Sequence, residues 1–338
     1  MSLRGFDPRW RDVPDFIIGI TRQIWEDREI GALRHLYADG LIVRSPASVV
    51  VGNAGVIAAT MATLAEFPDR ELLGEDVIWC ADPEGATHTS DAFVSSHRLY
   101  CTATHSHPGM YGAPTGRRLG YRILADCAIR DDAVYDEWLV RDQSAIVTQM
   151  GFDPADWTRD LIAREGGPVQ CVRPMTPDTN VAGPYTRRGN DSEWGALLAD
   201  TLRAFMAAEM DVVAKRYDRA CGLHYPAGHD AVGRDGADRF WMGLRAAFPD
   251  ATFRIEHVTG RDDPLMPPRA AVRWSLHGTH SGWGRFGRPT GAQVYVMGIT
   301  HTEFGPFGAG DPTIRHEWTL IDDTAIWKQI LLATGQHE

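Results

Sequence analysis

Residues 104–116 read THSHPGMYGAPTG, and residues 279–291 read THSGWGRFGRPTG. Eight of the thirteen positions are identical at a constant offset of 175. Self-similarity of this length marks an internal repeat, and a repeat sets the architecture before any single element is read. The match extends outward with small changes of offset. LRHLYADGLIVRSP (33–46) answers VAKRYDRACGLHYP (213–226), pairing Tyr37 with Tyr217 and Pro46 with Pro226. GNAG…EFPD (52–69) answers GRDG…AFPD (233–250). YDEWLVRDQSAIVTQM (135–150) answers RHEWTLIDDTAIWKQI (315–330), pairing Trp138 with Trp318, Asp142 with Asp322 and Gln149 with Gln329.

Two tandem domains are therefore expected, over 1–150 and 198–338. The Pro-, Gly- and polar-rich stretch 151–197 reads as a linker, with one short helix around PADWTRDLIARE. Two copies in one chain suggest an intrachain pseudo-dimer, with homodimerisation of the whole chain left open.

Each copy opens on an apolar stripe at helical spacing. In the first it is Ile17, Ile20, Ile24, Ile30, Leu33 and Leu36; in the second, Leu202, Phe205, Met206, Met210 and Val213. Each stripe predicts one helix. A second helix follows a Gly turn, and Pro68 and Pro249 block its continuation. After that the pattern changes to period two, as in AAVRWSLHGTH and AQVYVMGITHTEF, with the Pro-Thr-Gly turn as a hairpin connection. Helices followed by a run of antiparallel strands make an α+β arrangement.

The bulk numbers exclude several classes. The chain has 338 residues with net charge −11 and no Lys/Arg cluster, so nucleic-acid binding is not expected. No apolar run approaches the ~20 residues that span a bilayer, so no membrane association is expected. The N-terminus has no apolar signal-peptide core, and the five cysteines are odd in number without C-x-x-C spacing. A cytoplasmic protein with reduced thiols is the expectation.

His105-x-His107 raises the question of a metal. A cupin-like site would need a Glu a few residues on, but Pro, Gly, Met and Tyr come next, and Gly282 replaces His107 in the second copy. No metal and no cofactor is expected, since phosphate-loop, dinucleotide and nucleophile-elbow motifs are missing as well.

Several motifs together resemble the polyketide cyclase (SnoaL-like) family of the nuclear transport factor 2-like superfamily. They are HYPAGHDAVGRDGADRFWMGLRAAFPDATFRIE (224–256), RWSLHGTHSGWGRFGRPTG (273–291) and HEWTLID (316–322), with RLYCTATHSHPGMYGAPTG and LADCAIRDDAVYDEWLVRD in the first copy. The resemblance implies two tandem cone-shaped α+β barrels, each a curved antiparallel sheet with N-terminal helices enclosing a mostly apolar pocket. It further implies a cofactor-free acid/base enzyme of the cyclase, isomerase or lyase type, acting on a small carbonyl-containing molecule. The same fold also hosts dehydratases, hydrolases and non-catalytic ligand-binding or scaffold proteins.

By that resemblance Asp126, on the strand after the turn, matches an acid/base position. A carboxyl aimed into an apolar pocket would have a raised pKa suited to proton transfer. His301 takes the matching place in the second copy, and His224 matches a pocket histidine where the first copy has Arg44. Arg44 could hold Asp126 ionised or bind an anionic group. His105 and His280, paired across the repeats, would either orient a substrate oxygen or brace the hairpin. Trp138, Trp318, Tyr37 and Tyr217 are candidates for the pocket wall.

Overall fold

The computed structural model describes residues 3–305 and 311–336. The chain divides into two compact units, Met1–Asp153 with Val172–Gly189, and Pro154–Cys171 with Asn190–Glu338.

The first unit begins with α1 (Val13–Trp25). Asp12 caps it by accepting from the Asp15 amide, and Val13, Phe16, Ile17, Ile20 and Ile24 form its buried face. The apolar stripe runs on to Leu36, yet the helix does not. Arg28 adopts a left-handed φ of 63°, and the Glu29 amide donates back to Gln23 O at 3.0 Å. A 3-10 turn (Ile30–Ala32) and the single turn α2 (Leu33–Leu36) come next, so Leu33 and Leu36 fold back onto the core that α1 covers. The chain continues through β1 (Ile42–Ser45), β2 (Ser48–Val51) and α3 (Asn53–Glu66). Four longer elements complete the sheet, β3 (Glu71–Ala81), β4 (Ala92–Thr104), β5 (Arg118–Arg130) and β6 (Ala133–Arg141), before α4 (Gln143–Gln149).

The second unit repeats this order. Its first helix is α5 (Pro154–Arg164), which the first unit lacks. Then come α6 (Glu193–Met206), α7 (Val212–Arg216), β7 (Tyr217–Tyr225), β8 (His229–Val232) and α8 (Arg234–Ala247). The remaining elements are β9 (Thr252–Arg261), β10 (Arg269–Thr279), β11 (Gln293–Gly305), β12 (Thr313–Leu320) and α9 (Asp323–Thr334). The long helix expected here is also broken, after Met206, by Ala208 at φ 63°.

The sheets are six-stranded, in the orders β2-β1-β6-β5-β4-β3 and β8-β7-β12-β11-β10-β9. They are mixed rather than wholly antiparallel, because β1 runs parallel to β6 and β7 parallel to β12. The parallel pairing arises because β1 and β7 come straight off the N-terminal helices and join the sheet beside its last strand. Two tandem α+β units with the same strand order result.

The stretch expected as a linker is partitioned rather than free. In α5, Ile162 packs with Cys171 and Leu331 of α9, and Lys328 Nζ donates to Glu165 Oε2 at 2.5 Å. Residues 172–189 return to the first unit, where Tyr185 packs against Cys80, Val94 and Ala128. Composition suggested a flexible connection, but each half carries apolar side chains that find a sheet or a helix to cover.

The Pro-Thr-Gly hairpins are as the repeat predicts. β4 pairs with β5 in one unbroken register from Ala92↔Arg130 to Thr104↔Arg118, and β10 with β11 from Arg269↔Glu303 to Thr279↔Gln293. Gly116 and Gly291 take φ of 67° and 75°, the left-handed region that glycine enters without strain. The two faces of the first sheet differ. Val77, Phe93, Cys127, Ile129 and Val134 pack against Phe16, Ile17, Ile20 and Ile24 of α1, on the inner face. Cys80, Val94, Ala128 and Trp138 meet Tyr185 on the outer one.

Candidate functional site

Strand parity decides which side chains share the interior with the helices. Asp126 is paired in register with Ser96 and Trp138, one residue from inward-facing Cys127. It therefore sits on the outer face, and its Oδ1 accepts from Ser96 Oγ at 2.5 Å. The expectation that Asp126 enters an apolar interior is corrected on that ground. Arg44 lies on the same outer face, opposite Trp138, with its guanidinium 4.6 Å from that ring. It pairs with Asp136 Oδ1 at 2.5 Å, not with Asp126, and donates to Asn180 Oδ1 and Val181 O. Those partners make it a clasp for residues 180–181, not an open anion anchor.

In the second unit His301 is paired with Ala271 and Trp318, again on the outer face. His224 Nδ1 bonds Asp230 Oδ1 at 2.7 Å across the β7–β8 hairpin, and its ring stacks on Trp318 at 5.3 Å. Trp138 and Trp318 are thus outer-face residues, so neither lines the interior.

His105 and His280 are fully buried and brace their hairpins. His105 Nδ1 lies 3.2 Å from Thr115 Oγ1 and accepts from the Thr115 amide at 3.3 Å; His280 Nδ1 is 3.0 Å from Thr290 Oγ1. The first unit adds Glu66, whose Oε1 is 3.2 Å from His105 Nε2 and whose oxygens accept the Met110 and Tyr111 amides. Of the two roles open to this pair, the geometry favours the brace.

What the interior does hold is the Glu of each E-W pair. Glu137 faces Cys127 in register, inward, and Tyr37 donates its hydroxyl to it. Burial pushes the Glu137 carboxyl up to about 7, with the Tyr37 hydrogen bond opposing. Ser95 shares this row through Cys127, and His97 lies on the next row, paired with Ala125. Ser95 Oγ and His97 Nδ1 are buried without a hydrogen-bond partner. Burial also lowers the His97 pKa to about 4, keeping its ring neutral at neutral pH despite the nearby Asp126 charge.

The second unit places Glu317 at the same point and closes it off. Tyr217 Oη donates to Oε2 at 2.6 Å and Tyr225 Oη at 3.0 Å; Trp241 Nε1 donates to Oε1 at 3.1 Å and Thr319 Oγ1 at 2.6 Å. Burial raises the Glu317 pKa and those four donors pull it back. Rings fill the space around it: Phe205 stacks on Trp241 at 4.9 Å, Tyr225 on Phe240 at 4.3 Å, and Trp274 lies 5.8 Å from Trp241. At the equivalent positions the first unit has Thr60 for Trp241, Ala59 for Phe240, Ser45 for Tyr225 and Leu99 for Trp274. Glu137 is 7% exposed where Glu317 is 0%. Around Glu137, Tyr37, Val43, Val56 and Ile57 are only half-buried.

Tyr37 and Tyr217 are therefore the two sequence candidates that reach the interior; Glu137, Ser95 and His97 are not among those candidates. The signal available was the Glu preceding each Trp in E-W: if the Trp is outward, the Glu is inward. No group of three His, Cys, Asp or Glu able to hold a metal occurs among the described residues. No helix among them is long and apolar enough to cross a membrane.

Comparison with known proteins adds the family. Residues 196–330 match the model described as SnoaL-like polyketide cyclase. The second copy is a SnoaL-like domain. Similar solved structures each cover about two-fifths of the chain. AclR, a putative hydroxylase from Streptomyces galilaeus, is 19% identical, covering 43% of this chain and 85% of its own, with a TM-score of 0.34. IdmH, a putative polyketide cyclase from Streptomyces antibioticus, is 20% identical, covering 41% and 99%, with a TM-score of 0.34. A putative SnoaL-like polyketide cyclase from Jannaschia sp. CCS1 is 18% identical, covering 42% and 96%, also at 0.34. No curated protein matches the chain. The SnoaL-like copy that the family model matches is the one whose interior is filled.

Proposed function

We propose that the first unit is a cofactor-free acid/base catalyst of the SnoaL-like type, acting on a small carbonyl compound, and that the second unit is its structural twin. The observation that carries this reading is the contrast at the E-W glutamates. Glu137 has one hydroxyl partner, a pKa near 7 and unpartnered polar neighbours; Glu317 is held by four donors in a filled core.

A carboxyl titrating near neutrality serves both directions of proton transfer. Ionised Glu137 takes a proton from the carbon next to a carbonyl, and the resulting enolate oxygen is stabilised by donors from Ser95 or His97. Protonated Glu137 then returns the proton at the new position or to an alkoxide. His97, neutral, contributes a hydrogen bond rather than a charge. The step draws only on side chains. Isomerisation, aldol closure and dehydration share this proton inventory.

The test is exchange of α-protons of 1,3-dicarbonyl probes into deuterated water, followed by NMR. Glu137→Gln is expected to lose ~10²–10⁴-fold of the protein-dependent rate, while Asp126→Asn keeps it. An unchanged rate in Glu137→Gln refutes the assignment.

A further inference from the structure

On the same inner face of the first unit, beyond His97, lie two arginines with no anionic partner. Arg70, between α3 and β3, is 1% exposed, and its Nε and Nη1 have no hydrogen-bond partner. Its guanidinium lies 4.3 Å from the Trp25 ring centre and 5.8 Å from that of Tyr121, and its Nη2 donates to Cys101 Sγ at 4.0 Å. Arg141, at the end of β6 and inward with Ile123, likewise leaves Nε unpartnered and faces the Tyr111 hydroxyl. Among the described residues no carboxylate forms an ion pair with either. Cys101, Tyr111 and Tyr121 surround the pair, and burial raises the pKa of all three, so none supplies a negative charge at neutral pH. An uncompensated buried guanidinium is costly for a fold. Arg70 is such a group, and half-buried Arg141 shares its neighbours Cys101 and Tyr121.

The second unit supplies the control. At the positions of Arg70, Arg141, Cys101, Tyr111 and Tyr121 it carries Ala251, Ile321, Leu276, Phe286 and Val296, all apolar. The fold thus does not require the polar cluster.

We propose that Arg70 and Arg141 form the receptor for the carboxylate of an organic anion, which names the substrate class of the first unit. The apolar neighbours of the pair, Trp25 against Arg70 and Ile123 and Leu99 in register with Arg141, fit a carboxylate on a hydrocarbon or aryl body. Arg141 and Glu137 are four residues apart on one face of β6, roughly 13 Å along the strand. A carboxylate held at the arginines therefore leaves the far end of a molecule of about that length beside Glu137, with His97 between. The carboxylate receptor stands on its own geometry; only the link to substrate rests on the acid/base reading of Glu137.

The test uses the full chain and benzoate as probe, with benzamide as its uncharged match and inorganic phosphate as a second anion, read by calorimetry and thermal shift. Benzoate is expected to bind wild type and Glu137→Gln alike, benzamide not to bind, and Arg70→Met or Arg141→Met to weaken benzoate by about tenfold or more. Without ligand, each Met variant is expected to melt at or above the wild-type temperature, because a guanidinium without an ionic partner has been removed. Benzoate binding equal in wild type and both Met variants, benzamide binding as well as benzoate, or no benzoate binding at all, overturns the proposal. Phosphate binding in preference to benzoate overturns the carboxylate class. Met variants that melt well below wild type make the arginines structural and overturn it too. Arginine-dependent benzoate binding alongside an unchanged exchange rate in Glu137→Gln would remove the acid/base reading and leave the receptor standing.

Discussion

The two copies have the same strand order, the same braced hairpin and a glutamate at the same inward position, yet their interiors have opposite character. In the second, Trp241, Trp274, Tyr225 and Phe240 fill the space and four donors fix Glu317. In the first, Thr60, Leu99, Ser45 and Ala59 are smaller, and Ser95, His97, Arg70 and Arg141 bring in polar groups, each with at least one buried atom that has no hydrogen-bond partner.

The largest stability effect is expected where the second core is opened. Trp241→Ala removes three ring contacts and a donor to Glu317, and should cost about 3–5 kcal/mol by urea denaturation. Thr60→Ala, at the equivalent place, should cost about 1 kcal/mol or less. Equal costs would mean that the first interior is as tightly packed as the second.

The next effect is a dependence on pH. The Glu137 carboxyl is raised from 4.5 to about 7, so the folded chain holds this proton more tightly than the unfolded one. Its contribution is complete below pH 4.5 and is lost as pH rises through about 7, a fall of about 3 kcal/mol. His97, lowered from 6.5 to about 4, acts in the opposite sense over an overlapping window. The comparison must therefore be wild type against Glu137→Gln, whose stability difference should change by that amount between pH 4.5 and 8. A pH-independent difference would contradict the raised pKa.

Charge removal at the two glutamates should differ more modestly. Glu317→Gln disturbs four hydrogen bonds and is expected to cost about 1–3 kcal/mol, whereas Glu137→Gln should cost under about 1 kcal/mol at pH 7.5. The smallest difference concerns the hairpins. Thr115→Val and Thr290→Val each remove one contact to a brace histidine and should each cost about 1 kcal/mol, with no preference between copies.

Much of the fold was legible because a repeat doubles every local signal. The hairpin turns, the α+β order and the small helix in 154–164 come from residues that can be read in line. The helix breaks were not legible, since Arg28 and Ala208 are ordinary residues whose left-handed backbone is imposed by the packing of α2 and α7 against the core. The parallel pairing of β1 with β6 is likewise non-local. For the site, everything turned on one residue of parity. Asp126 and Trp138 share a face in register, so expecting both inside was self-consistent but inverted; Cys127 and Glu137 are the inward pair. The arginines escaped notice because seventy-one residues separate them in sequence, and nothing local marks Arg70 as buried.

The central claim is that Glu137, and not its twin, is poised for proton transfer. Site-resolved carboxyl titration by carbon-13 NMR, with Glu137→Gln and Glu317→Gln to assign the signals, tests it directly. A Glu137 carboxyl that stays protonated until about pH 7 is the predicted result. A midpoint at the ordinary value near 4.5 would contradict it.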